Sequence, residues 1–189
     1  MKRLIIGVIL FTLVACHSVN NEKLKINNLD KVNTAKNDTV TMYEASSMKE
    51  ALIAIPFELH LPKEIPKRFG TFDEFTIIDF KDKNDQKDIG IRIGAKDIRE
   101  GAAPDYNLII FARDFEASFV DRFKDNSELH ELGDNQSVYV HFPSIVDANF
   151  ANLFWRDNGI LFEIKYDYEK GKDKRKVRET LLHLAEQMQ

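Results

Sequence analysis

Strict alternation of apolar and polar residues is the feature that most limits the fold of this chain. In residues 89–95 the isoleucines and Ala95 fall on one face of an extended chain, and Arg92 falls on the other face between two glycines. Residues 160–166 alternate in the same way. Because successive side chains of a strand point to opposite faces, both segments predict strands with one buried face.

Further strand patterns predict an antiparallel sheet. They cover residues 75–80, 107–112, 127–142 and 151–166. The second of these segments is apolar on both faces, as a central strand requires. The last two are predicted hairpins that turn at residues 133–135 and 157–159, where Gly, Asn and Asp tolerate positive φ angles.

Other segments have the period of a helix. They cover residues 46–55, 114–123 and 174–188. Ser46 or Ser47 can cap the first segment, Glu50 follows Ser47 at the spacing of a capping box, and Pro56 ends it.

The C-terminal segment places its apolar residues on one stripe of a helix. The stripe consists of Val177, Leu181, Leu184, Ala185 and Met188. The sequence therefore predicts an α+β fold. It consists of an antiparallel β-sheet with a short N-terminal helix, a middle helix and a C-terminal amphipathic helix packed on it.

The predicted middle helix, residues 114–123, carries an aromatic stripe. Phe115, Phe119 and Phe123 are spaced by four residues, and Asp114 can cap the helix. In the simpler interpretation the stripe packs on the sheet and Phe119 lies in the core. In the alternative it lines a groove for a lipid or a peptide. Residues four apart drift by about 40° around a helix, so Phe123 would be the ring nearest the edge.

The only cysteine of the chain follows directly after an apolar run. Two basic residues precede the run over residues 4–15, and Cys16 follows it. As a helix the run would be about 18 Å long, which is too short for a hydrocarbon core of about 30 Å. A basic start, a short apolar centre and small residues at the end are typical of a secretory signal peptide, here residues 1–15.

The tetrapeptide Leu13-Val14-Ala15-Cys16 closely resembles the lipobox of bacterial lipoprotein precursors. The resemblance implies that the thiol of Cys16 receives a diacylglyceryl group, that a peptidase cuts before it, and that Cys16 becomes the first mature residue. Two acyl chains together give a stable membrane anchor. The protein would then be attached to the cell membrane and face away from the cytoplasm. The richness in Lys, Asn and Ile and the short signal favour a Gram-positive host. The alternatives are an ordinary signal with a chance cysteine, which would leave a reactive free thiol, or a short membrane anchor.

The rest of the chain predicts a tether and one domain. Residues 16–42 are predicted to be the lipidated cysteine and a polar, flexible tether, and residues 43–189 a single globular domain. In the alternative, Leu24, Ile26 and Leu29 dock on that domain.

Charge and motifs limit the partners and the chemistry. Without residues 1–15 the chain has 25 basic and 31 acidic residues, and this net charge of −6 disfavours nucleic acid as a partner. The histidines do not occur at metal-ligand spacing, and Cys16 is already assigned, so no metal and no cofactor are predicted. His130 and His141 lie on the two arms of one predicted hairpin, and their faces depend on its register. No G-x-S-x-G turn or P-loop occurs, so no catalytic residue is predicted.

Three stretches carry a second resemblance: IPFELHLPKEIPKRF at 55–69, LFWRDNGILFEI at 153–164 and ETLLHLAEQM at 179–188. Residues 50–188, which contain them, resemble an uncharacterised family of extracytoplasmic domains. That family occurs in lipoproteins and anti-sigma-factor ectodomains of Gram-positive bacteria. The family usually has Gly-Tyr or Gly-Phe after the second proline, where this chain has Lys67-Arg68-Phe69. It has no settled catalytic residues, so the resemblance transfers no site.

The sequence leads to three hypotheses for function. The first is a lipid-anchored, non-enzymatic module that binds a protein, peptide or lipid of the cell envelope. The alternative is an envelope hydrolase whose site is assembled from residues distant in sequence. The third is a surface protein, carried by a prophage or another mobile element, that blocks superinfection. A hydrolase should show convergent titratable groups in a cleft, and a binding module should show an exposed apolar patch or an open sheet face.

Overall fold

The computed structural model describes residues 23–32, 40–80, 88–99, 106–114, 124–145 and 148–189. Within these residues the chain forms nine strands and two α-helices. The strands are β1 (Asp30–Val32), β2 (Thr41–Glu44), β3 (Glu74–Asp79), β4 (Ile89–Lys96), β5 (Tyr106–Arg113), β6 (Glu128–Leu132), β7 (Gln136–His141), β8 (Phe150–Asp157) and β9 (Ile160–Asp167). The helices are α1 (Met48–Ala54) and α2 (Lys174–Glu186), and short 3-10 turns cover Lys67–Phe69 and Gly133–Asn135.

All described strands belong to one sheet, in the order β1-β2-β3-β4-β5-β9-β8-β7-β6. Each neighbouring pair is antiparallel. This confirms the predicted antiparallel sheet with helices. The ends of β3, β4 and β5 differ from the predicted segments by at most one residue. The segment that is apolar on both faces became β5, the middle strand of the described order.

The two predicted hairpins are present as β6–β7 and β8–β9. In the second, Asp157 pairs with Ile160, so the connection contains only Asn158 and Gly159. These two residues have φ angles of 46° and 82°. Positive φ at both positions is the geometry that matches the twist of the flanking strands, and it explains why the sequence uses Asn-Gly here.

The core lies on one face of the sheet. The register of the sheet places one row of side chains on this face, each opposite the next. The row is Ile77, Ile91, Ala112, Phe162 and Trp155. All five side chains are buried, and they form one cluster with the apolar residues of both helices. Helix α1 packs against β3, and α2 packs against β6, β8 and β9. The helices therefore cover the face that the alternating pattern predicted to be buried.

Helix α1 is shorter than predicted, and its cap uses both serines. The Ser47 hydroxyl accepts a hydrogen bond from the Glu50 N–H at 3.3 Å. The Glu50 carboxylate in turn accepts bonds from the Ser46 N–H at 2.8 Å and the Ser46 hydroxyl at 2.7 Å. In a capping box the glutamate side chain bonds back to the N–H of the cap residue. Here Glu50 bonds instead to Ser46, the residue before the cap, which offers two donors.

Helix α2 buries the predicted stripe. The Asp173 carboxylate caps its start by accepting the Arg175 N–H at 2.9 Å. The buried residues of the stripe are Val177, Leu181, Leu184, Ala185 and Met188. The predicted middle helix lies outside the described residues, apart from its first residue.

Residues 23–29, which we call the docking segment, lie against the domain. Leu24 is only 3% exposed, and Ile26 and Leu29 pack against the same core cluster. These contacts of Leu24, Ile26 and Leu29 are the ones that the docking alternative describes. The Lys25 N–H, which donates to the Ala54 carbonyl at 3.0 Å, and the pairing of β1 with β2 also hold this part of the chain.

Candidate functional site

A pocket of about 460 Å³ lies between the docking segment and α1, and its lining runs from the cap of the helix to its last residue. The backbone N–H of Lys25 donates to the carbonyl of Ala54 at 3.0 Å, which holds the segment beside the helix. The lining includes Lys25, Asn27, Asn28, Lys49, Glu50 and Ile53. We call it the edge pocket, since β1, which continues the docking segment, is the first strand in the described sheet order.

The edge pocket combines positive charge, amide groups and an apolar wall. Lys25 and Lys49 are exposed, and Ile53 is 55% exposed. The hydrogen bonds from Ser46 lower the pKa of Glu50, so this carboxylate stays ionised and its oxygen is directed to the cap. Ammonium and amide groups are hydrogen-bond donors to anionic oxygens. The pocket is therefore suited to an anionic group that carries an apolar part.

The sheet face opposite the core carries an ion pair on its central strands. The Arg113 Nη2 lies 3.0 Å from the Glu163 Oε2, and the side-chain amide of Asn152 donates to the Glu163 Oε1 at 3.2 Å. Burial raises the pKa of Glu163 in spite of the attraction of Arg113. Burial also lowers the pKa of Arg113. The two charges neutralise each other, and the geometry is that of a structural pair rather than of a catalytic acid or base.

Arg68, in the 3-10 turn before β3, contacts the last residues of β9. Its guanidinium lies 4.3 Å from the ring centre of Phe69 and 4.9 Å from that of Tyr166. It also donates to the carbonyl of Asp167 and lies 3.5 Å from the carboxylate of Asp97. Its role could not be predicted, because the contacts join a coil to distant strand ends.

The strand register separates the two histidines of the first hairpin. His130 pairs with Val138, and His141 follows Val138 by three residues, so the two imidazoles lie on opposite faces. The His130 ring lies 3.4 Å from Glu128, and the His141 Nδ1 lies 3.2 Å from the carbonyl of Asn126. In the part of the chain that the structure describes, no three or more His, Cys, Asp or Glu residues are placed to hold a metal ion.

The site residues that the sequence predicted lie outside the described residues. This applies to the lipidation site Cys16 and to the candidate binding face of Phe115, Phe119 and Phe123. Both remain predictions. Neither of the two described helices has the length and apolar character needed to cross a membrane.

Asp114, directly after β5, predicts a pH-dependent stability. Its Oδ1 accepts the Ile89 N–H at 2.7 Å, but burial raises its pKa to about 6. An unfolded Asp has a pKa of about 3.9, so the folded state holds this proton more tightly. The contribution to stability is therefore largest below about pH 4 and is lost as the pH rises to about 6.

Asp114→Asn keeps the acceptor oxygen and removes the charge. We expect it to raise the free energy of unfolding by about 1 kcal/mol at pH 8, after allowance for the partial exposure of the side chain. The decline in stability between pH 4 and pH 6 should also be smaller. Urea unfolding across this range measures both, with Asp157→Asn in an exposed turn as the control. A parallel pH profile for wild type and Asp114→Asn would contradict the assignment.

No protein-family model matches this chain, and the searches of curated proteins and of solved structures give no significant match. The resemblance of residues 50–188 to extracytoplasmic domains therefore stays a prediction.

Proposed function

We propose that this protein is a lipid-anchored extracytoplasmic lipoprotein of the cell membrane and a non-enzymatic module that binds another component of the cell envelope. The observation that carries the proposal is the tetrapeptide Leu13-Val14-Ala15-Cys16 directly after a short apolar run. A diacylated Cys16 provides two acyl chains, and two chains are what stable attachment requires.

The docking segment determines which part of the domain would be near the bilayer. Lys25 follows Cys16 by nine residues, so the two Cα atoms can be at most about 32 Å apart. By contrast, a sheet of this strand number extends about 38 Å from β1 to β6, at about 4.8 Å per strand. The anchor would therefore keep the edge pocket close to the membrane.

Replacement of Cys16 tests the proposal. We expect Cys16→Ala to abolish metabolic labelling with a fatty acid and to move the protein from the membrane fraction to the precursor form or the medium, because the acceptor sulfur is gone. Crosslinking in intact membranes, carried out in parallel on the wild type and on Cys16→Ala, then shows whether the anchored protein contacts an envelope partner.

A shifted cysteine is the matched control. The double variant Cys16→Ala/Ser18→Cys keeps one thiol in the chain but places it outside the tetrapeptide. It should remain unlabelled. Labelling of Cys16→Ala, or of this control at the wild-type level, would overturn the assignment of a lipobox.

A further inference from the structure

We propose that the edge pocket binds the anionic headgroup of a phospholipid in the membrane that holds Cys16, and that this contact turns the β1 edge of the domain toward the bilayer. The inference rests on the proposed lipid anchor and adds a partner and an orientation to it.

The charge that lines the pocket is positive. Its ionisable lining residues are Lys25, Lys49 and Glu50, so two ammonium groups face one carboxylate. By contrast, the chain after residue 15 has a net charge of −6. Around the pocket the sign of the charge is opposite to that of the protein as a whole. It complements a phosphodiester, and the attraction acts within a Debye length of about 8–10 Å of the membrane surface.

An exposed apolar side chain lies beside one of the lysines of the pocket. Ile53 follows Lys49 by four residues on α1, so both lie on the same side of the helix. Ile53 is 55% exposed and lines the pocket. A lysine beside an aliphatic side chain suits the membrane interface, where the ammonium meets phosphate and the apolar group reaches the acyl boundary.

The volume of the edge pocket and its distance from Cys16 both suit a lipid headgroup. A volume of about 460 Å³ falls within the range of about 300–1,000 Å³ that small-molecule sites occupy. The chain enters this pocket directly after the docking segment begins, and the connection to Cys16 is too short to carry the pocket far from the lipid surface. The occupant nearest to the pocket is therefore the lipid of the same membrane.

Site-specific photo-crosslinking of the full-length, lipidated protein tests the inference. A photoreactive phenylalanine analogue replaces Ile53 in one version and Leu129 in another. Leu129 is 60% exposed on β6, the last strand in the described sheet order. Both versions are reconstituted in vesicles of phosphatidylcholine with about one third phosphatidylglycerol. We expect crosslinks to phospholipid from position 53 to exceed those from position 129 at least fivefold.

Charge variants show whether the lysines cause this contact. Lys25→Glu/Lys49→Glu should lower the crosslinking from position 53 at least fivefold, and the milder Lys25→Gln/Lys49→Gln should lower it less. Lys63→Glu/Lys176→Glu changes exposed lysines elsewhere by the same charge and should leave it unchanged. Thermal unfolding of each variant confirms that the fold is kept.

The outcomes separate the pocket from the anchor. Equal crosslinking from positions 53 and 129, crosslinks to protein instead of lipid, or no effect of the Lys25/Lys49 changes would overturn the inference while the vesicles still retain the protein. Loss of all versions from the vesicles would overturn the lipid anchor, and the pocket proposal with it.

Discussion

Arg113→Ala is expected to lower the free energy of unfolding by about 3–5 kcal/mol, because it leaves the Glu163 carboxylate buried without its partner. The two side chains are 14% and 16% exposed, and their charged atoms are 3.0 Å apart. Burial already outweighs the attraction of Arg113 in raising the pKa of Glu163. Removal of the guanidinium therefore leaves a carboxylate that must either take up a proton or remain charged in a poorly hydrated site. Urea unfolding at pH 7 measures the loss.

A double replacement and an exposed pair are the controls. Arg113→Met/Glu163→Leu removes both charges and should recover most of the stability, since a well-packed apolar pair often equals a buried ion pair. Arg175→Met breaks the exposed pair with Asp173 but leaves the helix cap, and should cost less than about 1 kcal/mol. If Arg113→Ala costs no more than Arg175→Met, the pair on β5 and β9 does not have the structural role assigned to it.

Leu181→Ala should lower the free energy of unfolding by about 2–5 kcal/mol, because it opens a cavity between α2 and the sheet. Leu181 is 0% exposed and belongs to the core cluster that α2 shares with the sheet. The size of the loss depends on how far α2 can move inward to refill the space. Thermal or urea unfolding of the variant gives the value.

Leu129→Ala is the matched control for this cavity, since it removes the same atoms from a side chain that is 60% exposed. It should change the free energy of unfolding by less than about 1 kcal/mol. Similar losses for the two leucines would mean that α2 is not packed as a structural helix.

The elements that the sequence predicted well are those whose pattern is local. The isoleucines of β4 recur every two residues, and the apolar residues of α2 recur every three to four. Each period predicts which face of its element is buried. The Asn158-Gly159 turn is predictable for the same reason, because its φ angles depend on only two residues.

The features that could not be predicted depend on register or on distant contacts. Arg113 directly follows the predicted strand 107–112 and Glu163 lies within a predicted hairpin, but only the β5–β9 register brings the two side chains together. The sequence offered docking of Leu24, Ile26 and Leu29 only as an alternative to a tether, because three apolar residues are too few to show a period. Leu24 is buried in a core cluster of residues that are distant in sequence. The edge pocket is formed by the docking segment and α1 together, so it could not be predicted from either segment alone.

The order of the strands also sets the route by which the chain can reach this fold. Strands β1 to β5 pair with their sequence neighbours, as do β6 to β9, and the two halves meet only where β5 pairs with β9. That contact closes a loop of 46 residues between Arg113 and Ile160, whereas the Asn158-Gly159 hairpin closes a loop of two. Long-range strand pairing forms slowly, because the entropy of loop closure must be overcome first. Until β9 arrives, β5 is an open edge with apolar side chains on both faces, and a newly made chain is most prone to aggregate at this strand.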